Sequence, residues 1–421
     1  MKKKMRNAIL AAVFSGSLLV TLSGCSMFGG NGDNNSGSET TQDTTASEVA
    51  VETEEEAADH EDQSAEQATE AAKIEGLEFD HEVPVEKAAY LSIDAYKDGF
   101  YVIKSHRGKD FQQLLVVPEG KNAPEGLSED ILVVQQPVTS SKIDSISVAE
   151  LLCEINDGLA DKLTLVTLKK DKIFIDKIAE NMDKGITKFA GKAASPDMDL
   201  IKETAPQVYI CHPGLKKEEA YKTIQEAGFD PFISYFSQEG DVLGRIEWAK
   251  ALGVIYGDME SAERFYNEQK ALIEGIDTSK AQGKSYIMCC LKKKDNKAFV
   301  RRTGDVIAKI GELAGGVNKL ADIPKGGWEE MSIDDYLSKY KDTDYIIYLD
   351  NHGDPVKSIE DMKGISEAIG EFKAVKDNNV WLTKTDFAQD NKVGDMVKEL
   401  NGIFADDSDA VNNAKEYIRL N

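Results

Sequence analysis

The sequence predicts an α/β protein, with two α/β lobes joined by a long linker helix and a short β-hairpin region at the start of the first lobe. Three observations predict it. Runs of strand-forming residues alternate with amphipathic helical stretches from about residue 162 to 240, and again from 285 to 403. Residues 241–276, between these two blocks, hold helical periodicity and no strand. Ahead of both, residues 88–118 show strand runs broken by Lys97-Asp98-Gly99 and Arg107-Gly108-Lys109, the pattern of hairpins.

The 421 residues carry 75 acidic and 50 basic side chains, a formal charge of −25, and 41% are apolar. That length suits two or three domains, and the apolar content is enough for real cores. The acid excess excludes a nucleic-acid partner, because phosphates would be repelled. Residues 1–24 read as a lipoprotein signal peptide: Lys2, Lys3, Lys4 and Arg6 precede an apolar run from Ala8 to Leu22, short for a membrane span. The run ends in Leu22-Ser23-Gly24-Cys25, which resembles the bacterial lipobox. Cys25 is therefore expected to be lipidated and to hold the chain on the outer face of the cell membrane. Residues 25–76 read as a disordered acidic tether, since fourteen acids between 26 and 75 face Lys73 alone and Phe28 is the only aromatic residue.

The N-terminal α/β lobe is expected over 77–257. Its strands are read at 162–167, 207–211 and 231–235, with helices at 171–182 and 216–227, the latter closed by Gly228. A linker helix follows at 258–276, capped by Asp258, with Ala262, Phe265, Tyr266 and Ile273 on one face. The C-terminal α/β lobe takes 277–421, with strands at 285–291, 344–349 and 380–382 and helices at 305–314, 333–340 and 391–403. Cys153, Cys211, Cys289 and Cys290 sit in apolar runs with no C-x-x-C pair, as buried thiols do.

Enzymatic motifs fail. Gly283-Lys284-Ser285 lacks the phosphate-loop glycine, since Thr278 stands there, and neither H-E-x-x-H, G-x-S-x-G nor G-x-G-x-x-G occurs. Five histidines are too few for a cage around a bare metal ion, and no cofactor or metal is predicted. Binding at strand ends remains. Candidates are Ser145 and Ser147 before a helix starting near Val148, Lys169, His212, Tyr235, Phe236 and His352. Arg301 and Arg302 form a pair at a strand-to-helix junction, suited to carboxylate or catecholate oxygens. Trp328, after two glycines, could wall a planar ligand or plug a core.

Several stretches together resemble the solute-binding components of ABC importers for iron–siderophores, haem and cobalamin, in their lipoprotein form. They are Leu115-Val116-Val117-Pro118-Glu119-Gly120 with Ala123-Pro124-Glu125-Gly126-Leu127, then Asp241 to Lys250 with Gly253 and Gly257. Phe299 to Gly304, Leu313 to Gly316, and Gly327-Trp328 before Ser332-Ile333-Asp334 complete the set, so that the likeness covers about residues 85 to 405. It implies a monomer that holds a small-molecule metal chelate between its lobes and docks on a permease with ATPase subunits through an acid on each lobe. Glu218 or Glu219 fits the first-lobe position. Lys309 stands where the family often has the second acid, leaving Glu312 as a substitute. The expected role is capture of an iron chelate, siderophore or haem, without catalysis. The alternatives are a corrinoid carrier of the same class, a lipid-anchored hydrolase or chelatase, and an adhesive or sensor lipoprotein, which would lack a cleft between its lobes.

Overall fold

The computed structural model describes residues 70–320, 326–349, 353–383 and 391–421. The signal peptide, Cys25, the tether up to residue 69, and His352 lie outside the described residues. All described residues fall within one compact unit, Ala46–Asn421.

The chain first builds a sheet of β1 (Phe79–Val83), β2 (Leu91–Tyr96), β3 (Tyr101–Arg107), β4 (Asp110–Val117) and β5 (Ile131–Gln135), in that spatial order. Four strands are antiparallel and β5 joins β4 in parallel. The short hairpin region expected here is thus a five-stranded sheet. Alternate residues face opposite ways. Ile93, Ile103, Leu114 and Val116 enter the main core, while Tyr96, Val102, Leu115 and Val117 pack under Ala72 and Ile74. The segment at 70–72 is pinned there. Ala72 N donates to Asp94 Oδ2 and Lys104 Nζ to the Glu70 carbonyl, each at 2.9 Å, and the buried Lys104 and Asp94 pair with each other at 2.9 Å.

The first α/β lobe runs β6 (Ser141–Ile143), α1 (Ile146–Ile155), β7 (Leu163–Val166), α2 (Asp176–Asp183) and β8 (Lys188–Phe189). A small hairpin, β9 (Gly191–Lys192) and β10 (Ser195–Pro196), leads to α3 (Met198–Thr204), β11 (Val208–Cys211), α4 (Glu219–Glu226) and β12 (Phe232–Ile233). The parallel sheet has the order β12-β11-β6-β7-β8, so its topological switch lies between β6 and β11. Two short helices, α5 (Val242–Glu247) and α6 (Ala249–Tyr256), then lead to the linker helix α7 (Met259–Glu274). Gly257, at φ 77°, makes the left-handed break before it, and Asp258 caps it by accepting from Ser261 N at 3.3 Å.

The second lobe comprises β13 (Ser285–Lys292), β14 (Lys297–Arg301), α8 (Val306–Leu313), β15 (Val317–Asn318), β16 (Trp328–Ser332), α9 (Ile333–Tyr340) and β17 (Tyr345–Tyr348). It continues with α10 (Ile359–Ile365), α11 (Lys373–Lys376), β18 (Val380–Thr383), α12 (Val393–Phe404), α13 (Ser408–Asn412) and β19 (Tyr417–Arg419). The sheet order is β16-β14-β13-β17-β18-β19, with β15 also beside β13. Strands β13, β15, β17 and β18 are mutually parallel, and β14, β16 and β19 extend the sheet with antiparallel pairs. One face of this sheet, with Tyr286, Met288 and Ile347, packs with Ile310, Leu400 and Phe404 in a core that continues into the first lobe. The other packs Ile287, Ile346 and Tyr348 against Tyr336, Met362 and Phe372.

Two buried carboxylates bind the opening sheet to the helices before the linker. Glu247 accepts from the backbone N–H groups of Glu86, Lys87 and Ala88 at 2.8, 2.7 and 2.9 Å. Glu239 accepts from Ala89 N at 2.8 Å, Tyr90 N at 3.1 Å and Trp248 Nε1 at 3.0 Å. Lys250 closes the arrangement by donating to Glu247 Oε1 at 2.7 Å and to the Pro84 carbonyl at 2.6 Å. Gly244 permits the close approach, since a Cβ there would stand 2.6 Å from the Lys87 carbonyl oxygen.

One prediction concerns this clamp and a second Asp344, a half-buried carboxylate immediately before β17 in the second lobe. Glu247→Ala strands Lys250 and leaves three backbone donors without an acceptor, which should cost about 3–5 kcal/mol, read as a lower urea midpoint. Desolvation raises the pKa of Asp344, but hydrogen bonds from Lys373 and Ser285 outweigh it and hold it at about 2. A depressed carboxylate stabilises fully above its unfolded value near 4 and loses that contribution as pH falls toward 2. Asp344→Asn should therefore flatten the acid limb of the stability curve between about pH 4 and 2; an unchanged limb contradicts the assignment.

Candidate functional site

The site is built where α5, α8 and the strand pair β14–β16 meet. Register places Arg301 opposite Trp328. The Arg301 guanidinium lies over the indole, 3.8 Å from its centroid, a cation–π contact that keeps the side chain flat. Asp305 fixes the other side: Oδ2 accepts from Arg301 Nη1 at 2.8 Å and from Gly327 N at 3.1 Å, while Oδ1 caps α8 through Ile307 N at 2.9 Å. Arg302 is held separately, Nε and Nη2 donating to Glu329 Oε2 at 3.0 and 2.9 Å. Each of the two predicted arginines therefore has its own acid.

Across the junction stands Arg245 on α5, stacked on the buried Phe236 ring at 4.7 Å. Desolvation pushes its pKa down to about 10, with Asp305 attracting and Arg301 repelling its charge. Beside it lies a cavity of about 20 Å³ lined by Val242, Arg245, Ile307, Ile310, Asn391 and Val393, among others, with room for about one water. At this point the junction is filled rather than open as a broad groove. Three polar links tie the lobes around it. Lys309 Nζ donates to the Gly240 carbonyl at 2.5 Å, Asn391 Nδ2 to the Ser147 carbonyl at 2.8 Å, and Lys392 pairs with Glu154 at 2.9 Å.

The other predicted residues are distributed as follows. Ser145 caps α1 at the carboxyl end of β6, and His212 follows the adjacent β11, so both stand at the topological switch. Ser147 lies inside α1 rather than before it, and its carbonyl serves the link to Asn391. Lys169 is exposed at the β7 end, with its ammonium 6.0 Å from the Phe189 ring centre. Tyr235 is buried in the first-lobe core, its hydroxyl donating to Asp110 at 3.1 Å, and is not brought to the arginines. Phe236 is brought there, beneath Arg245. Glu218 and Glu219 are exposed at the start of α4, and Glu312 is exposed on α8. Lys309 is turned against the first lobe. Sequence reasoning did not single out Arg245, Asp305 or Asn391. The available signal for Arg245 was a lone cation between the apolar residues Val242, Leu243 and Ile246.

Among the described residues no helix is long and apolar enough to cross a membrane. No protein-family profile matches the chain. An "uncharacterized lipoprotein" of Methanocaldococcus jannaschii is 23% identical over 272 residues, 63% of this chain and 64% of that protein. The chain thus spans just under two thirds of that relative's length. A periplasmic binding protein of Veillonella parvula superposes with a TM-score of 0.52 at 17% identity, over 71% of this chain and 96% of the other. The periplasmic heme-binding protein HutB of Vibrio cholerae gives 0.51 at 11% identity, over 63% of this chain and 98% of its own. The order of sheets and helices derived above and these superpositions agree: the chain has the fold of the periplasmic binding proteins, two α/β lobes carried by one linker helix.

Proposed function

We propose that this chain is the lipid-anchored solute-binding component of an ABC importer, capturing an iron chelate, siderophore or haem, and delivering it to a membrane permease. The observation that carries the reading is a cationic and aromatic wall at the junction of two lobes: Arg301 flat on Trp328, with Arg245 and Phe236 opposite. The rings beneath fix the planes of the two guanidinium groups, which could then donate to the oxygens of a ligand at the junction. These groups hold a ligand rather than transform one, so the chain is read as a non-enzyme. The fold shared with a heme-binding protein and the lipoprotein relative support the same reading.

Ser145, Lys169 and His212, at strand ends of the first lobe, would contribute from that side. Glu218 or Glu219 would meet the permease from one lobe and Glu312 from the other, with ATP hydrolysed by the partner. Cys25 would carry the lipids. One observation favours the corrinoid alternative: Arg301 and Arg302 are each matched by an acid, so the four groups sum to zero charge and do not reject a neutral cargo.

Thermal melts of the detergent-solubilised full chain with haemin, ferric siderophores and cyanocobalamin test the cargo. A ligand at one hundred times its Kd adds about 2.7 kcal/mol. Stabilisation by an iron chelate supports the reading, by cyanocobalamin alone supports the alternative, and recovery of a chemically altered chelate points to catalysis instead. For the anchor, Cys25→Ser should move the protein from the membrane fraction to the soluble fraction; a variant that stays membrane-bound argues against lipidation at that residue.

A further inference from the structure

The cations around the junction are matched, with one exception. Arg301 has Asp305, Arg302 has Glu329, Lys392 has Glu154, and Lys309 has the Gly240 carbonyl. The Arg245 guanidinium forms no ion pair or hydrogen bond with the described residues, and its Nε is buried without a partner; the Nε of Arg301 is buried unpartnered too, but that guanidinium holds Asp305 through Nη1. The acids that its charge senses are committed elsewhere. Both oxygens of Asp305 accept from Arg301, Gly327 N and Ile307 N. Those of Glu239 accept from Ala89 N, Tyr90 N and Trp248 Nε1. The cavity wall beside Arg245 is otherwise aliphatic apart from Asn391, whose amide nitrogen is spent on Ser147.

A guanidinium carries five donors and keeps its charge. Arg245 is half-buried, and withdrawing its Nε from water without a partner is costly, so this donor calls for a partner from outside the protein. Phe236 beneath the guanidinium fixes its plane without consuming a donor. Arg301, by contrast, is already held by an acid and a ring, which makes it a wall rather than an acceptor of new charge.

Resting on the carrier reading above, we infer that Arg245, and not Arg301 or Arg302, receives the anionic oxygens of the cargo, so that the site selects a ligand presenting a carboxylate-like edge at the lobe junction. The ligand's oxygens complete the hydrogen bonding that the protein leaves open. The Arg301–Asp305–Trp328 stack supplies a neutral flat surface beside it.

The test uses the full chain with Arg245→Met and Arg301→Met, melted without ligand and titrated with haemin and haemin dimethyl ester, which lacks the free carboxylates, and with ferric citrate. Without ligand, Arg245→Met should melt at or above the wild-type temperature, because a buried unpartnered donor is removed and no ion pair is broken. Arg301→Met should melt lower, because Asp305 is stranded. Affinity for whichever anionic probe the wild type binds should fall at least 100-fold in Arg245→Met, with binding of the dimethyl ester unchanged. A ligand-free Arg245→Met that melts as low as Arg301→Met overturns the inference, as does undiminished binding of an anionic probe. A wild type that binds neither haemin nor ferric citrate defeats the reading of the cargo as an anionic chelate, whereas equal binding by wild type and variant defeats only the role given to Arg245.

Discussion

Five successive backbone N–H groups, from Glu86 to Tyr90, end on two buried carboxylates, and much of the architecture depends on that interaction. An ionised carboxylate withdrawn from water is costly unless nearly every lone pair is engaged. Glu239 and Glu247 meet the condition by collecting six N–H donors and the Lys250 ammonium. The result fixes the five-stranded sheet against α5 and α6, and through them against the linker helix. Since α5 also carries Arg245, the same clamp sets where a cation stands relative to the second lobe.

The lobes are not independent bodies strung on a rod. Their apolar faces form one continuous cluster that includes Leu243, Phe265, Ile310 and Phe404. Cross-lobe hydrogen bonds from Lys309 and Asn391 reinforce it. The proposed binding at the junction would work against a stiff background and would rest on side chains already in place. Arg301 shows how that is achieved, being held by strand register, an acid and an indole together.

The strongly periodic elements were legible in the sequence. The linker helix, with Asp258 before it and Ala262, Phe265 and Tyr266 on one face, forms as expected, and so do the apolar strands β13 and β17. The charged edge strand β1, Phe79-Asp80-His81-Glu82-Val83, escaped notice because its first four residues are exposed and it lacks an apolar alternation. Strand β16 was hidden for a related reason, since Glu329 and Glu330 interrupt it and its partner is fixed by tertiary register. At the site, Arg301, Arg302 and Trp328 could be singled out as unusual residues. Their neutralisation by Asp305 and Glu329 could not be read as readily, because the second pair spans 27 positions. Arg245 was obscured by its setting in an apolar helix, where a cation looks like a surface residue until the facing lobe is known.

Ala72 and Ile74 lie beneath the outer face of the opening sheet, with Asp94 and Lys104 gripping the backbone beside them. Tension arriving along the chain from its N-terminal side therefore reaches the folded body at β2 and β3, ahead of the exposed edge strand β1. The load is shared by interior strands rather than concentrated where a sheet would begin to peel.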